Sequence, residues 1–444
     1  MATVNILQQQ HGEGEVEQHS TESAQFLHHE KWLLKQTGLT TRQDLSKLTK
    51  LDLPNCRLTS LPEQLPAILP NLEILFCPKN SFQEVPAIIG QCPKLRMVSF
   101  KECYTIRSIH AEALQPQLQW LILTGNKLQE LPETIGRCTK MQKLMLSGNE
   151  LKSLPSSMVN MQNLELIRLA CNHLAEPPLE LLQSCKNLRW AAFASNPFLN
   201  NLSAPFSQQS LPLLDDPALE DTAAEVLGQG AGGITRKIVY QNKLVAVKTF
   251  VGELTSDGSP QDEKAISVAA ASLQDDALIQ LLGETKESGA LVMEFLENYQ
   301  ALAGPPSFVT CSRDVYDANT VSQLSPAFGW KIVMDMLRVL AKLHQLGICH
   351  ADFYAHNILI SMEEQKVKLS DFGAAFVYDE RSDYGKAMAG IELRAYTVLV
   401  QELYDLLIKE NDAAVVKASE WERLLEECQK PDASFAVLAR QFTM

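Results

Sequence analysis

Seven copies of one leucine frame, spaced 23 or 24 residues apart, constrain this 444-residue chain more than any other feature. The frame L-x-x-L-x-L-x-x-N/C-x-L starts at Leu48, Leu72, Leu95, Leu118, Met141, Leu164 and Leu188. The fourth copy shows it clearly, with Leu118, Leu121, Leu123, Asn126, Leu128 and then Leu131-Pro132. Such a period implies one short strand, one turn and one return segment per copy, whose leucines can be buried only against the next copy. Asn80, Asn126, Asn149, Asn172 and Asn196 stand where their side chains can bond backbone groups that the turn leaves unpaired. Cys56 and Cys103 take the same slot in their copies.

Over residues 48–200 these copies resemble the leucine-rich-repeat family, which implies an α/β solenoid of seven repeats. Alternate strand residues of such a solenoid face its concave side. There the sequence places Ile74, Phe76, Met97, Trp120, Ile122, Met145, Leu166 and Trp190, all large and apolar. Contiguous apolar patches mark contact surfaces. The expected occupant is a protein partner or substrate; the alternative is the N-terminal segment or the C-terminal domain of the same chain.

Charge and cysteine usage narrow the surroundings. Residues 1–205 hold 19 Lys+Arg and 18 Asp+Glu, a net of +1, while the remainder holds 20 and 35, a net of -15. The acidic C-terminal half argues against nucleic acid as a ligand. Seven of the ten cysteines lie between Cys56 and Cys185, several at positions a repeat buries, and read as reduced core thiols. The first 25 residues lack a basic start followed by an apolar run, and no 18-residue apolar stretch occurs. A cytoplasmic protein with no membrane span is expected. Residues 1–25 read as a disordered polar N-terminus, 26–47 as a helical cap, 48–200 as the repeats, 201–222 as a Pro/Ser/Asp-rich linker and 223–444 as a second domain.

The second domain opens with three expected strands, at 224–229, 234–241 and 243–250. Between the first two lies Gly228-Gln229-Gly230-Ala231-Gly232-Gly233, a G-x-G-x-x-G run whose backbone can close over phosphates unobstructed by side chains. Val245-Ala246-Val247-Lys248 follows on the third strand. Farther on, His350, Asp352 and Asn357 make an H-x-D-x-x-x-x-N arrangement, and Asp371-Phe372-Gly373 begins 14 residues after Asn357. The order and spacing of these motifs resemble the protein-kinase superfamily over residues 222–444, which implies a two-lobed α+β domain using ATP and Mg2+.

That resemblance implies the site. Lys248 would neutralise the α- and β-phosphates, Asp371 and Asn357 would hold magnesium, and Asp352 would take or orient the proton of the attacking hydroxyl. The nucleotide would also meet Leu227 and the glycine loop (Gly228, Gln229, Gly230, Ala231, Gly232, Gly233), Met293 guarding the pocket, and the backbone from Glu294 to Leu296 along the strand 290–299. Glu263, opening an expected helix at 262–274, is the candidate partner of Lys248, although the spacing to Leu278–Gly283 puts that partner near Ile266.

Departures from the family pattern matter too. Ala351 stands where arginine often precedes the catalytic aspartate, and Tyr354 where Ser/Thr kinases commonly carry lysine. Few residues separate Asp371 from an expected helix at 392–409, and no APE sequence is present. Regulation by activation-loop phosphorylation is therefore not expected. The stretches TSDGSPQDE, GPPS, CSRDVY and HADFYAHN are similar to bacterial-type leucine-rich-repeat kinases. The leading expectation is an active Ser/Thr protein kinase whose repeats recruit a partner. The rivals are an aminoglycoside-kinase-type small-molecule phosphotransferase and a pseudokinase scaffold.

Overall fold

In the computed structural model, residues 27–442 are described apart from 201, 203–209, 231, 253, 256 and 410–414. The polar segment 1–25 lies outside the described residues. A first helix ends at Gly38, and α1 (Arg42–Lys47) follows, its N-terminus capped by the Thr41 side chain. Leu33 and Leu45 from these helices are buried against the first repeat.

Seven three-residue strands then make one parallel sheet in chain order. They are β1 (Lys50–Asp52), β2 (Ile74–Phe76), β3 (Met97–Ser99), β4 (Trp120–Ile122), β5 (Lys143–Met145), β6 (Leu166–Arg168) and β7 (Trp190–Ala192). Lys50, Ile74, Met97, Trp120, Lys143, Leu166 and Trp190 lie in one register row. The middle residues, Leu51, Leu75, Val98, Leu121, Leu144, Ile167 and Ala191, are buried in the repeat core. A one-residue slip would turn all of them outward, so burial fixes the register.

The asparagine slot carries a ladder. Asn149 Nδ2 donates to the carbonyls of Leu123 (3.0 Å) and Leu146 (2.8 Å), and its Oδ1 accepts the Leu128 N–H (3.1 Å). Asn172 and Asn196 repeat the pattern one and two copies on. All ten cysteines are free thiols, and burial pushes Cys92 up to about 11 and Cys138 up to about 12.

A six-stranded sheet follows, in the order β8-β12-β13-β11-β10-β9. Its strands are β8 (Leu213–Leu214), β9 (Val226–Gly230), β10 (Gly233–Tyr240), β11 (Lys243–Phe250), β12 (Leu281–Thr285) and β13 (Leu291–Glu294). β8 comes from the segment read as linker and adds a parallel edge to β12. Helix α2 (Pro260–Ala271) leans on this sheet, capped by Ser259, whose Oγ accepts the Asp262 N–H. The remainder is mainly helical: α3 (Pro326–Gln345), α4 (Asp383–Tyr404), α5 (Val415–Cys428) and α6 (Phe435–Phe442) accompany the hairpin β14 (Ile358–Ser361) and β15 (Lys366–Leu369), with α3 packed on β15. Helix α4 starts at Asp383, well before the expected 392, because Ser382 caps it by accepting the Gly385 N–H. No helix among the described residues is long and apolar enough to cross a membrane.

The two parts share a core. Phe193 and Phe198 of the last repeat meet Phe376 and Tyr384 edge-on, and one buried cluster runs from the repeat leucines to Ala351, Ala374, Met388 and Ile391. The apolar strand face expected to grip a separate protein is covered from within the chain. Ile74, Met97 and Trp120 are buried with Cys311, and Phe76 and Ile122 pack against that group. Phe308 lies 5.7 Å from Phe76 and 5.9 Å from Trp120, ring to ring. Leu166 and Trp190 join the core of the C-terminal part, with Met145 packed on it. The physical reason is proximity: residues 304–316 form a loop, pinned at its ends by the Gly304–Val315 pairing, that reaches these side chains without a second molecule.

Asn149→Ala removes the partners of three buried backbone groups. It should lower the unfolding free energy by at least about 1–3 kcal/mol, read from urea denaturation of the full chain, whereas an exposed Gln129→Ala should have almost no effect.

Candidate active site

The glycine loop joins β9 to β10 as a tight antiparallel turn. A β-carbon at Gly233 would fall 2.4 Å from Thr249 O, so only glycine lets β10 lie this close to β11. Gly228 and Gly230 face open space, with nothing within 4 Å of a would-be β-carbon. Leu227 and Gln229 are exposed on the same strand, and Ala231 lies outside the described residues. At Gly232 a β-carbon would sit 3.2 Å from Glu263 Oε2, so the loop tip closes over the start of α2.

Lys248 on β11 is ion-paired with Glu263, which is buried in the first turn of α2. Ile266, the position the sequence spacing favours, is buried one turn later in the apolar core. The reason lies at the cap: Ser259-Pro260 starts the helix early and brings Glu263 to the lysine. Burial pushes the Glu263 carboxyl up; Lys248 pulls it down without cancelling that, and Asp371 and Asp257 add to the rise. Glu263 therefore lies within electrostatic reach of both Lys248 and Asp371.

At the end of β13, Met293 is half-buried. The Glu294 N–H donates to Gln280 O (3.0 Å), and its carboxylate accepts the Gln280 N–H (2.9 Å) and Lys368 Nζ (2.5 Å). These bonds fix the chain direction into Phe295 and Leu296. The side chain of Glu294 is thus committed to bracing, and a ligand there would meet backbone.

The catalytic-loop residues gather at the start of the β14–β15 hairpin. Asn357 Nδ2 donates to Asp352 O (2.9 Å) and Asp352 Oδ2 (3.0 Å), leaving the amide Oδ1 outside those bonds. Ser370 donates its N–H (2.9 Å) and its hydroxyl (2.8 Å) to Asn357 O, tying Asp371 to the same loop. Asp371 takes a left-handed backbone (φ 60°), and its Oδ1 accepts the Gly373 N–H at 3.1 Å. His350 contacts Ser370 O through Nε2 (3.0 Å) and packs on Phe372.

Two residues at this site carry no kinase motif. Glu392 of α4 accepts the N–H groups of His350 (3.2 Å) and Ala351 (2.6 Å) and contacts His344 Nε2 at 2.7 Å. Arg168 of β6 is ion-paired with Asp352 and donates from Nη1 to Ala351 O at 3.3 Å. The available signals were slight: one acid inside the apolar run of α4, and one cation among the mostly uncharged fifth positions of the repeats. Burial alone would raise the Asp352 carboxyl; Arg168, followed by His356 and His350, more than offsets this and holds it below the usual carboxylate range.

A divalent cation fits this donor set. Among the described residues no cluster of three His, Cys, Asp or Glu side chains makes an all-protein metal cage. One exposed carboxylate, Asp371, and one amide oxygen, on Asn357, are hard ligands of the kind magnesium shares with phosphates and water.

A family model described as protein kinase domain matches residues 222–405, and one described as leucine rich repeat matches residues 116–174. Among curated proteins the chain is 28% identical over 176 residues to a putative G-type lectin S-receptor-like serine/threonine-protein kinase of Arabidopsis thaliana, covering 38% of this chain and 19% of that protein. It is also 28% identical over 175 residues to a probable serine/threonine-protein kinase of Dictyostelium discoideum, covering 38% of this chain and 32% of the relative. A putative mitogen-activated protein kinase kinase kinase 7-like protein of Drosophila melanogaster is 28% identical over 153 residues, 34% of this chain and 36% of its own length.

Glu392 generates a prediction with a defined sign. Burial would raise its carboxyl, but the His344 bond and charge, His350 and the Ala351 N–H together lower it from the ordinary 4.5. Its ionised form therefore stabilises the fold above pH 4.5, and that contribution is lost as pH falls from 4.5 through the folded value. Glu392→Gln should cost about 1.5–3 kcal/mol at pH 7. It should also flatten the fall in stability below pH 4.5, read by denaturant unfolding at a series of pH values.

Proposed function

Starting from a chain that carries a leucine-rich-repeat region fused to a protein-kinase domain, we propose an ATP-dependent Ser/Thr protein kinase, with domains divided as the sequence suggests. It would transfer the γ-phosphoryl group of Mg-ATP to a protein hydroxyl. The observation that carries this reading is the simultaneous presence of the Lys248–Glu263 ion pair and the Asp352–Asn357 hydrogen bond. The first is a required part of the kinase machinery and the second orients the Asp352 carboxylate, in a reaction where positioning and charge do most of the catalytic work.

In this reading Glu263 holds Lys248 extended toward the α- and β-phosphates. Gly228 and Gly230 leave room for the phosphates beneath the loop, and Gln229, Gly232 and Gly233 complete it. Leu227 and Met293 flank the base, while Glu294 through Leu296 present backbone to it. Asp371 and Asn357 Oδ1 would ligate magnesium, which screens the phosphate charge when bound. Asp352 orients the acceptor hydroxyl and receives its proton; its free lone pairs and the 16% exposure of its side chain leave room for that approach. Ser/Thr as the acceptor rests on the relatives named above.

Leucine-rich repeats typically serve as protein-interaction modules. Here the solenoid's apolar face is occupied by the chain's own residues 308–313 and Tyr354, so any partner would use other repeat surfaces. One observation favours a second reading. Helix α4 begins ten residues after Gly373 (383 minus 373), which leaves little of a peptide-docking platform and suits a small-molecule acceptor.

Radiolabelled ATP with magnesium and a generic basic protein, compared across the intact chain, Asp352→Asn and Lys248→Met, tests these readings. Labelling should fall by about 10²–10⁴-fold in Asp352→Asn, and by a comparable factor in Lys248→Met. Equal labelling in all three would overturn the enzyme assignment, and labelling of small alcohols or amines alone would favour the second reading.

A further inference from the structure

The Arg168 guanidinium points its hydrogen bonds and ion pairs away from the repeats. It lies in a row of mostly apolar residues, 3% exposed, where an unpaired guanidinium is not tolerated. The polar contacts of its side chain fall on the kinase domain. Nη2 pairs with Asp352, Nη1 donates to Ala351 O at 3.3 Å, and Nε lies 3.3 Å from Asp257 Oδ1, an ion pair without hydrogen-bond alignment. Asp257 belongs to the loop that leads from β11 into α2, the helix of Glu263. One side chain thus touches both the catalytic loop and the approach to the Lys248 partner.

We propose that Arg168 is a positioning residue of the phosphoryl-transfer site, supplied by the sixth repeat and acting through Asp352 and Asp257. The proposal rests on the kinase reading above. Three observations support it. The catalytic loop has no cation of its own where the family often has one, since position 351 is alanine and position 354 tyrosine. Ala351 holds a left-handed backbone (φ 64°) that Glu392 fixes through its N–H and Arg168 through its carbonyl. Asp352 is held on two sides, Oδ1 by Arg168 and Oδ2 by Asn357, which sets its carboxylate plane.

The alternative is a brake, in which Arg168 must leave before Asp352 can act. The surroundings speak against it. Trp190, on the strand next to that of Arg168, stacks on Tyr354 at 4.0 Å and donates to Phe353 O at 2.9 Å. Ser195 bonds Asp262 in α2, and a β-carbon at Gly258 would lie 2.9 Å from Gly373 O and 3.6 Å from Ala194 Cβ. The loop before α2 is therefore wedged between repeats and catalytic core. Releasing Arg168 by undocking would break that shared core, which a reversible brake does not do.

The test uses the full chain, Mg-ATP and the same generic basic protein. Arg168→Ala should lower kcat by about 10²-fold with the KM for ATP nearly unchanged, and added guanidinium ion at non-denaturing concentration should restore part of it. Arg168→Lys keeps the charge but not the fork, and should retain an intermediate kcat. A rise in kcat in either variant would identify a brake, and an unchanged kcat would identify a bystander; both overturn the proposal. Should Arg168→Ala fail to give a cooperative melt, Arg168→Lys alone decides by the same criteria. Asp352→Asn run in parallel separates the two levels, since full labelling there sinks the kinase reading itself.

Discussion

The structure depends on one constraint: the repeat sheet has an apolar face that cannot be left in water. Side chains such as Trp120, Leu166 and Trp190 each gain about 1.5–3 kcal/mol or more from burial. A second molecule could supply that burial, but the chain does so itself with Phe308, Cys311, Phe353 and Tyr354. Polar contacts at the rim then fix the orientation. Ser312 and Arg313 meet Glu165, Arg394 Nε donates to Leu188 O at 2.7 Å, and Arg313 lies over the Trp190 ring. Partly buried polar contacts of this kind specify register. The consequence is that the kinase domain and the repeats share a core, and the geometry of one conditions the other.

That dependence explains which features were legible in the sequence. The repeat frame was readable because each copy solves the same local burial problem, and its strands fall on the third to fifth positions of every copy. Lys248, Asp352, Asn357 and Asp371 were readable as a set because their order and spacing match the protein-kinase pattern. The covering of the apolar face was not readable, because a patch of surface does not encode its occupant. Even so, stretches that looked distinctive, TSDGSPQDE and CSRDVY among them, meet the repeats. Asp257, Gly258 and Asp262 come from the first, and Cys311, Ser312 and Arg313 from the second.

Two local errors have local causes. The helix carrying Glu263 starts at Pro260, two residues before the expected 262, because Ser259 and Pro260 together make a strong N-terminus. Spacing measured back from the next strand ignores that start and points to Ile266. Helix α4 was expected from 392 because its apolar periodicity is clearest there, yet Ser382 already closes the first turn. The earlier start removes most of the room for an activation segment between Gly373 and the helix.

A short segment raises a physical problem that the repeats resolve. The left-handed alanine before Asp352 needs external support, since such a backbone costs about 1–2 kcal/mol. Glu392 supports the loop from one side, its carboxylate, 2% exposed, accepting the N–H groups of His350 and Ala351. On the opposite side stands the repeat sheet, with Arg168 on the charged groups and Trp190 on the ring of Tyr354. The loop is thus clamped between α4 and β6–β7, two elements whose own positions are fixed by burial. Contacts from both elements thus brace the segment from His350 to Tyr354 within the folded chain.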